Sequence, residues 1–73
     1  MDFEEKLKAL RKQKHFTLME VALKSGVGIA TLSRLEKGDH RGTFKTHQKI
    51  AEALEVDLVE LYKDIERPDE TTT

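Results

Sequence analysis

Three times in seventy-three residues, at the head of a stretch of helically spaced apolar residues, a side chain able to cap a helix is followed three positions later by a glutamate: Asp2 with Glu5, Thr17 with Glu20, Asp57 with Glu60. This capping box satisfies backbone amides left free at the start of a helix. Apolar residues at helical spacing follow each time: Phe3, Leu7 and Leu10, then Leu18, Val21 and Ala22, then Leu58, Leu61, Tyr62 and Ile65. No stretch shows the sustained alternation of a strand. The first helix is predicted over about residues 3–14, the second to about Ser25, and a third over about 29–37 with Leu32 and Leu35 on its inner side. Gly26 and Gly38 stand where left-handed residues end helices. Asp39–Gly42 reads as a polar loop, after which Thr43 can cap a fourth helix carrying Phe44, His47, Ile50, Ala51 and Leu54. Five short helices with short loops predict an all-α compact bundle over residues 1–65. Pro68 and the closing Thr-Thr-Thr predict a flexible tail over 66–73.

Composition narrows what such a bundle does. At 37% apolar residues the chain fills one small core, without a buried active-site cavity beside it. The absence of cysteine excludes a disulfide framework, a thiol nucleophile and a Cys-based zinc site. The longest apolar run, around Val27 to Ala30, is far too short to cross a membrane. Asp2, Glu4 and Glu5 occupy the place where a signal peptide carries positive charge, so a cytoplasmic, soluble protein is expected. His15, His40 and His47 have no helical ligand spacing, so neither metal nor cofactor is expected. Ser25, Ser33 and the threonines lack a local histidine–carboxylate motif, and Gly26 with Gly28 lacks the strand and Lys-Ser/Thr of a phosphate loop. The expected function is binding, not catalysis.

The formal net charge of −1 conceals a segregation. Residues 6–49 hold eleven Lys/Arg against three acids, a net of +8, whereas residues 50–73 carry a net of −6 and residues 1–5 a net of −3. Such asymmetry points to a polyanion on one face. Within the basic segment, two short helices meet through Ser25-Gly26-Val27-Gly28, the three-to-four-residue glycine turn of a DNA-binding helix-turn-helix. Gly26 supplies the positive φ and Val27 an apolar plug, so the second helix can lie in the major groove while the first crosses the backbone.

The longer pattern resembles the Xre/lambda-repressor-like helix-turn-helix family of Cro and the phage repressors. It is carried by Leu10-Arg11, Thr17, Glu20-Val21-Ala22, Gly26-Val27, Thr31-Leu32-Ser33-Arg34-Leu35-Glu36-Lys37-Gly38, Thr43-Phe44, Ile50-Ala51-Glu52-Ala53-Leu54 and Val56. These run in register without a gap over some three quarters of the chain. The resemblance implies a compact five-helix domain whose recognition helix turns Gly28, Ile29, Ala30 and Arg34 toward base edges. It implies phosphate contacts at Thr17, Lys37, His40, Arg41, Thr43 and Lys45, and a structural ion pair between Arg11 and Glu36. Double-stranded DNA is then the partner, and a homodimer on a two-fold operator the expected form, with repressor-like regulation of transcription as its outcome. Leu58, Leu61, Tyr62 and Ile65 either form the dimer contact or close the core.

Three departures bear on how much carries over. Leu18 stands where a Gln is common at the start of helix 2, and Gly28, Ile29 and Ala30 are poor in hydrogen-bonding groups. Base reading then falls to thymine-methyl contacts and to Arg34 on a guanine edge. His47 replaces a usually apolar residue, and Glu55 a glycine that often ends helix 4; both bear on packing and local strain. Two other readings stay open: a protein-interaction module on the same fold, and the DNA-binding head of a larger regulator or antitoxin, with a linker starting at Arg67-Pro68.

Overall fold

The computed structural model describes residues 2–65; the expected tail over 66–73 lies outside them. Five helices appear in order: α1 Phe3–Gln13, α2 Leu18–Ser25, α3 Ile29–Lys37, α4 Phe44–Leu54 and α5 Leu58–Tyr62, with no strand among the described residues. Two of the three capping boxes close. Glu5 Oε1 accepts from the Asp2 amide at 3.0 Å, and Glu20 Oε1 accepts from the Thr17 amide at 2.7 Å while Thr17 Oγ1 accepts from the Glu20 amide at 3.1 Å.

The third does not form. Asp57 makes no side-chain cap, and Glu60 instead turns its carboxylate toward Lys6 Nζ, 3.8 Å away on α1. A cation brought near by tertiary packing outcompetes a local amide for the same carboxylate. Helix α5 is short and ends at Tyr62, so Ile65 follows the helix instead of lying on it.

One core joins all five helices: Leu7 and Leu10 from α1, Val21 from α2, Leu32 and Leu35 from α3, Ile50, Ala51, Ala53 and Leu54 from α4, Leu61 from α5. α2 packs on both α3 and α4, α1 on α3 and α5, and α4 on α5. Phe44, read in the sequence among the apolar residues carried by the fourth helix, is exposed. It is the first residue of the helix, and the burial stripe begins one turn later at His47 and Ile50. Lys6 departs in the other direction: its stem is buried and its ammonium lies 3.8 and 3.9 Å from Glu60 and Asp64. Its charge is thereby drawn from the basic face toward the acidic helix.

The turn between α2 and α3 follows from its residues. Gly26 takes φ +79°, left-handed backbone that lets its amide reach the Ala22 carbonyl. Space alone does not demand glycine there, since an added Cβ would meet nothing within 4 Å; the backbone angle does. Ser25 Oγ then accepts from the Val27 amide at 3.1 Å, and half-buried Val27 packs against the core. At the end of α4, Glu55 adopts φ +62° and ψ +41°, the strained conformation that the missing glycine would have taken without cost.

Candidate nucleic-acid interface

Helix α3 has two unlike faces. Leu32 and Leu35 are fully buried, whereas Ala30, Arg34 and Lys37, spaced i, i+4 and i+7, form an exposed row. At its start Gly28 is the N-cap and provides no side-chain cap, and Ile29 remains 41% exposed. Gly28, Ile29, Ala30 and Arg34 are each solvent-accessible, Gly28 and Ile29 at the start of the helix and Ala30 and Arg34 one turn apart on the exposed row.

Beyond Lys37 the chain closes through Gly38 at φ +84°, with the Asp39 amide donating back to the Arg34 carbonyl at 2.9 Å. His40 and Arg41 lie exposed on the following loop. Thr43 then caps α4, its Oγ1 accepting from the Thr46 amide at 3.2 Å, and Lys45 stands exposed in the first turn. That turn contains no acidic side chain, so the positive end of the helix dipole and a lysine act together there. Thr17 caps α2 and is exposed as well. Thr17, Lys37, His40, Arg41, Thr43 and Lys45 are thus all solvent-accessible, at helix ends or on the loop between α3 and α4.

Arg11 and Glu36 hold this assembly together from behind. Arg11 Nε donates to Glu36 Oε2 at 2.7 Å and a terminal guanidinium nitrogen donates to Oε1 at 3.1 Å, a bidentate pair between α1 and α3. The other terminal nitrogen donates to the Phe16 carbonyl at 2.8 Å, so one guanidinium also fastens the connection into α2. The hydrogen bond to Glu36 holds the Arg11 proton more tightly than usual, against the opposing effect of burial. The pair fixes where the last turn of α3, and hence Lys37, sits against the rest of the domain.

The C-terminal quartet separates into two roles. Leu61 is 0% exposed and belongs to the core, so it is unavailable as a contact between copies. Leu58 and Ile65 are half-buried, and Tyr62 is 38% exposed. Val59, missed in the sequence, is 77% exposed and lies one turn before Tyr62. The i, i+3 spacing of Val59 and Tyr62 was the available signal for an outward pair. Helix α2 likewise carries an outward pair that the inner-face reading passed over: Met19 at 53% and Leu23 at 77% exposure, spaced i, i+4.

Among the described residues, no three His, Cys, Asp or Glu side chains gather to hold a metal, and no helix is long and apolar enough to cross a membrane.

Residues 7–61 match the family model HTH_3, described as Helix-turn-helix. The HTH-type transcriptional repressor RghR of Bacillus subtilis is 45% identical over 56 residues, covering 74% of this chain and 41% of that protein. The HTH-type transcriptional regulator SlrR of the same organism is 33% identical over 57 residues, covering 77% of this chain and 38% of that protein. The chain thus spans about two fifths of the length of these curated relatives. Among solved structures, the restriction-modification controller protein C.AhdI from Aeromonas hydrophila superposes with a TM-score of 0.78 at 27% identity, over 81% of this chain and 89% of that one. Since the matched segment contains both helices of the turn motif and the core that supports them, the chain belongs to the Xre/lambda-repressor-like helix-turn-helix family.

Proposed function

We propose that this domain binds double-stranded DNA as the reading head of a transcriptional regulator, repressor-like in action, with α3 in the major groove. The observation that carries the reading is the two-faced α3: an exposed row of Ala30, Arg34 and Lys37 on a helix whose opposite face is locked into the core. Arg34 reaches a guanine edge, Ile29 and Ala30 meet thymine methyls, and Gly28 lets the backbone approach closely. Thr17, Lys37, His40, Arg41, Thr43 and Lys45 hold phosphates and set the register. With so few hydrogen-bonding groups at the tip of α3, discrimination leans on DNA shape as well as on base contacts. The role is recognition without catalysis.

A homodimer places two such helices about 34 Å apart on a two-fold site. Val59 and Tyr62 supply the outward apolar side of α5 for that contact, with half-buried Leu58 and, after the helix, Ile65 nearby. A salt titration on duplexes recovered from random-sequence selection tests the reading. Arg34→Ala is expected to weaken binding and relax one base position, by about 1–3 kcal/mol. Lys37→Ala is expected to lower the log–log salt slope by about 0.9 per chain. Unchanged affinity and slope in both variants would refute the docking.

The outward Met19 and Leu23 favour one second reading, a protein-interaction module on the same fold. Under it, DNA affinity equals that of a charge-matched control and Leu23→Glu abolishes capture of a defined protein partner.

A further inference from the structure

His47 is a polar ring in a place built for an apolar one. It is 7% exposed, stacked on Phe3 at 4.4 Å between centroids, and edge-on to Tyr62 at 5.7 Å. Both ring nitrogens are engaged: Nε2 lies 2.8 Å from the Arg41 carbonyl and Nδ1 lies 2.6 Å from the Tyr62 hydroxyl. A carbonyl only accepts, so Nε2 carries the proton toward Arg41. In the neutral ring Nδ1 is then the acceptor, and the Tyr62 hydroxyl donates to it. Directed this way, the two bonds form a chain from α5, through α4, to the backbone of the loop between α3 and α4.

The loop is arranged to receive that ring. Gly42 adopts φ +79°, and a Cβ there would lie 3.1 Å from Leu35 Cδ2 and 3.4 Å from His47 Nε2. The backbone therefore runs hard against the core at the position where the histidine reaches it. Arg41 itself is exposed, with its carbonyl turned inward and its side chain left on the solvent face. A loop peptide outside any helix has no ladder of its own to hold it, and a ring anchored at both nitrogens provides a fixed point.

From this geometry we propose that His47 is a positioning residue for phosphate contact: it fixes the Arg41–Gly42 peptide, and Tyr62 fixes the ring, so that Arg41 meets the DNA backbone already oriented. The role rests on the DNA-binding reading above and adds a device that acts through Arg41 without touching DNA.

The test is a double-mutant cycle on the full chain, read by DNA affinity and salt slope on the selected duplex, with amide spectra confirming the fold of each variant. In the parent background His47→Leu, which removes both bonds, is expected to weaken binding about fivefold per chain near physiological salt, the equivalent of one neutralised phosphate. In an Arg41→Ala background the same change is expected to cost less than about twofold, since the contact it orients is already gone. His47→Gln keeps an amide donor for the Arg41 carbonyl and is expected to recover most of the loss. Ring nitrogen spectra should show a protonated Nε2 and an unprotonated Nδ1 at neutral pH, the latter shifted in Tyr62→Phe. Equal losses from His47→Leu with and without Arg41, or His47→Gln as damaging as His47→Leu, would overturn the role while leaving DNA binding intact. Should His47→Leu fail to fold, His47→Phe, which keeps the stacking on Phe3 but removes both bonds, and Tyr62→Phe carry the same cycle. A parent chain lacking salt-dependent DNA binding would overturn the DNA reading itself, and this role with it.

Discussion

Removing the Arg11–Glu36 pair whole should cost no more than breaking it from one side. The two side chains are 14% and 7% exposed, and N–O distances of 2.7 and 3.1 Å bring their charge centres to about 4 Å. At the effective dielectric of about 20 suited to such sites, the direct attraction is about 4 kcal/mol, most of it offset by the water both groups gave up. Arg11→Met leaves a nearly buried carboxylate without its cation and removes the bond to the Phe16 carbonyl. The expected loss is about 3 kcal/mol, at the lower end for buried pairs because Arg11 keeps some solvent. Glu36→Leu leaves the guanidinium with the Phe16 carbonyl and partial hydration, for a loss of about 2 kcal/mol. The double variant leaves no buried charge and should lose only about 2–3 kcal/mol, giving a coupling of about 2 kcal/mol. For a domain of this size Arg11→Met then lowers Tm by about 12–24 °C. Thermal and urea unfolding of the four proteins measures the cycle. A coupling below about 0.5 kcal/mol would refute the account, because it would mean that the groups are effectively solvated despite their burial. The pH dependence has a definite sign: the Arg11 proton is held more tightly in the folded state, so titration of Arg11 itself removes its contribution only in strong alkali. Arginine titration should therefore leave the coupling flat between about pH 6 and pH 10.

Two further expectations concern stability and assembly. Glu55→Gly relieves a left-handed side chain at φ +62° and should raise stability by about 0.5–1 kcal/mol in thermal unfolding, net of the flexibility glycine adds to the unfolded chain; a lower Tm would contradict the strain. Val59→Glu should leave the folded monomer within about 0.5 kcal/mol of the parent yet abolish dimers in sedimentation, whereas Leu61→Ala should cost about 3 kcal/mol through the cavity it opens. The reverse pattern would move the dimer contact away from the outward side of α5.

The helices themselves were legible in the sequence because their causes are local. The caps at Asp2 and Thr17, the 3,4 spacing of Leu7 with Leu10 and of Leu32 with Leu35, and the left-handed Gly26 act over a few residues and need no partner. The exposed row of Ala30, Arg34 and Lys37 on α3 follows from the same periodicity, opposite Leu32 and Leu35, whereas the roles of Arg34 and Lys37 came only from the family resemblance. What tertiary packing alone decided is how side chains with more than one possible partner divide themselves. Glu60 left its own cap for Lys6, Lys6 withdrew from the basic face, and Phe44 fell outside the stripe by one turn. Leu61 and Val59 differ by two positions, yet one closes the core and the other meets solvent. His47 found Arg41 and Tyr62 six and fifteen residues away. Capping and periodicity are set by near neighbours along the chain. The choice of partner for a charge or a ring is set by which distant groups share its low-dielectric surroundings, and that arrangement exists only once the helices have packed.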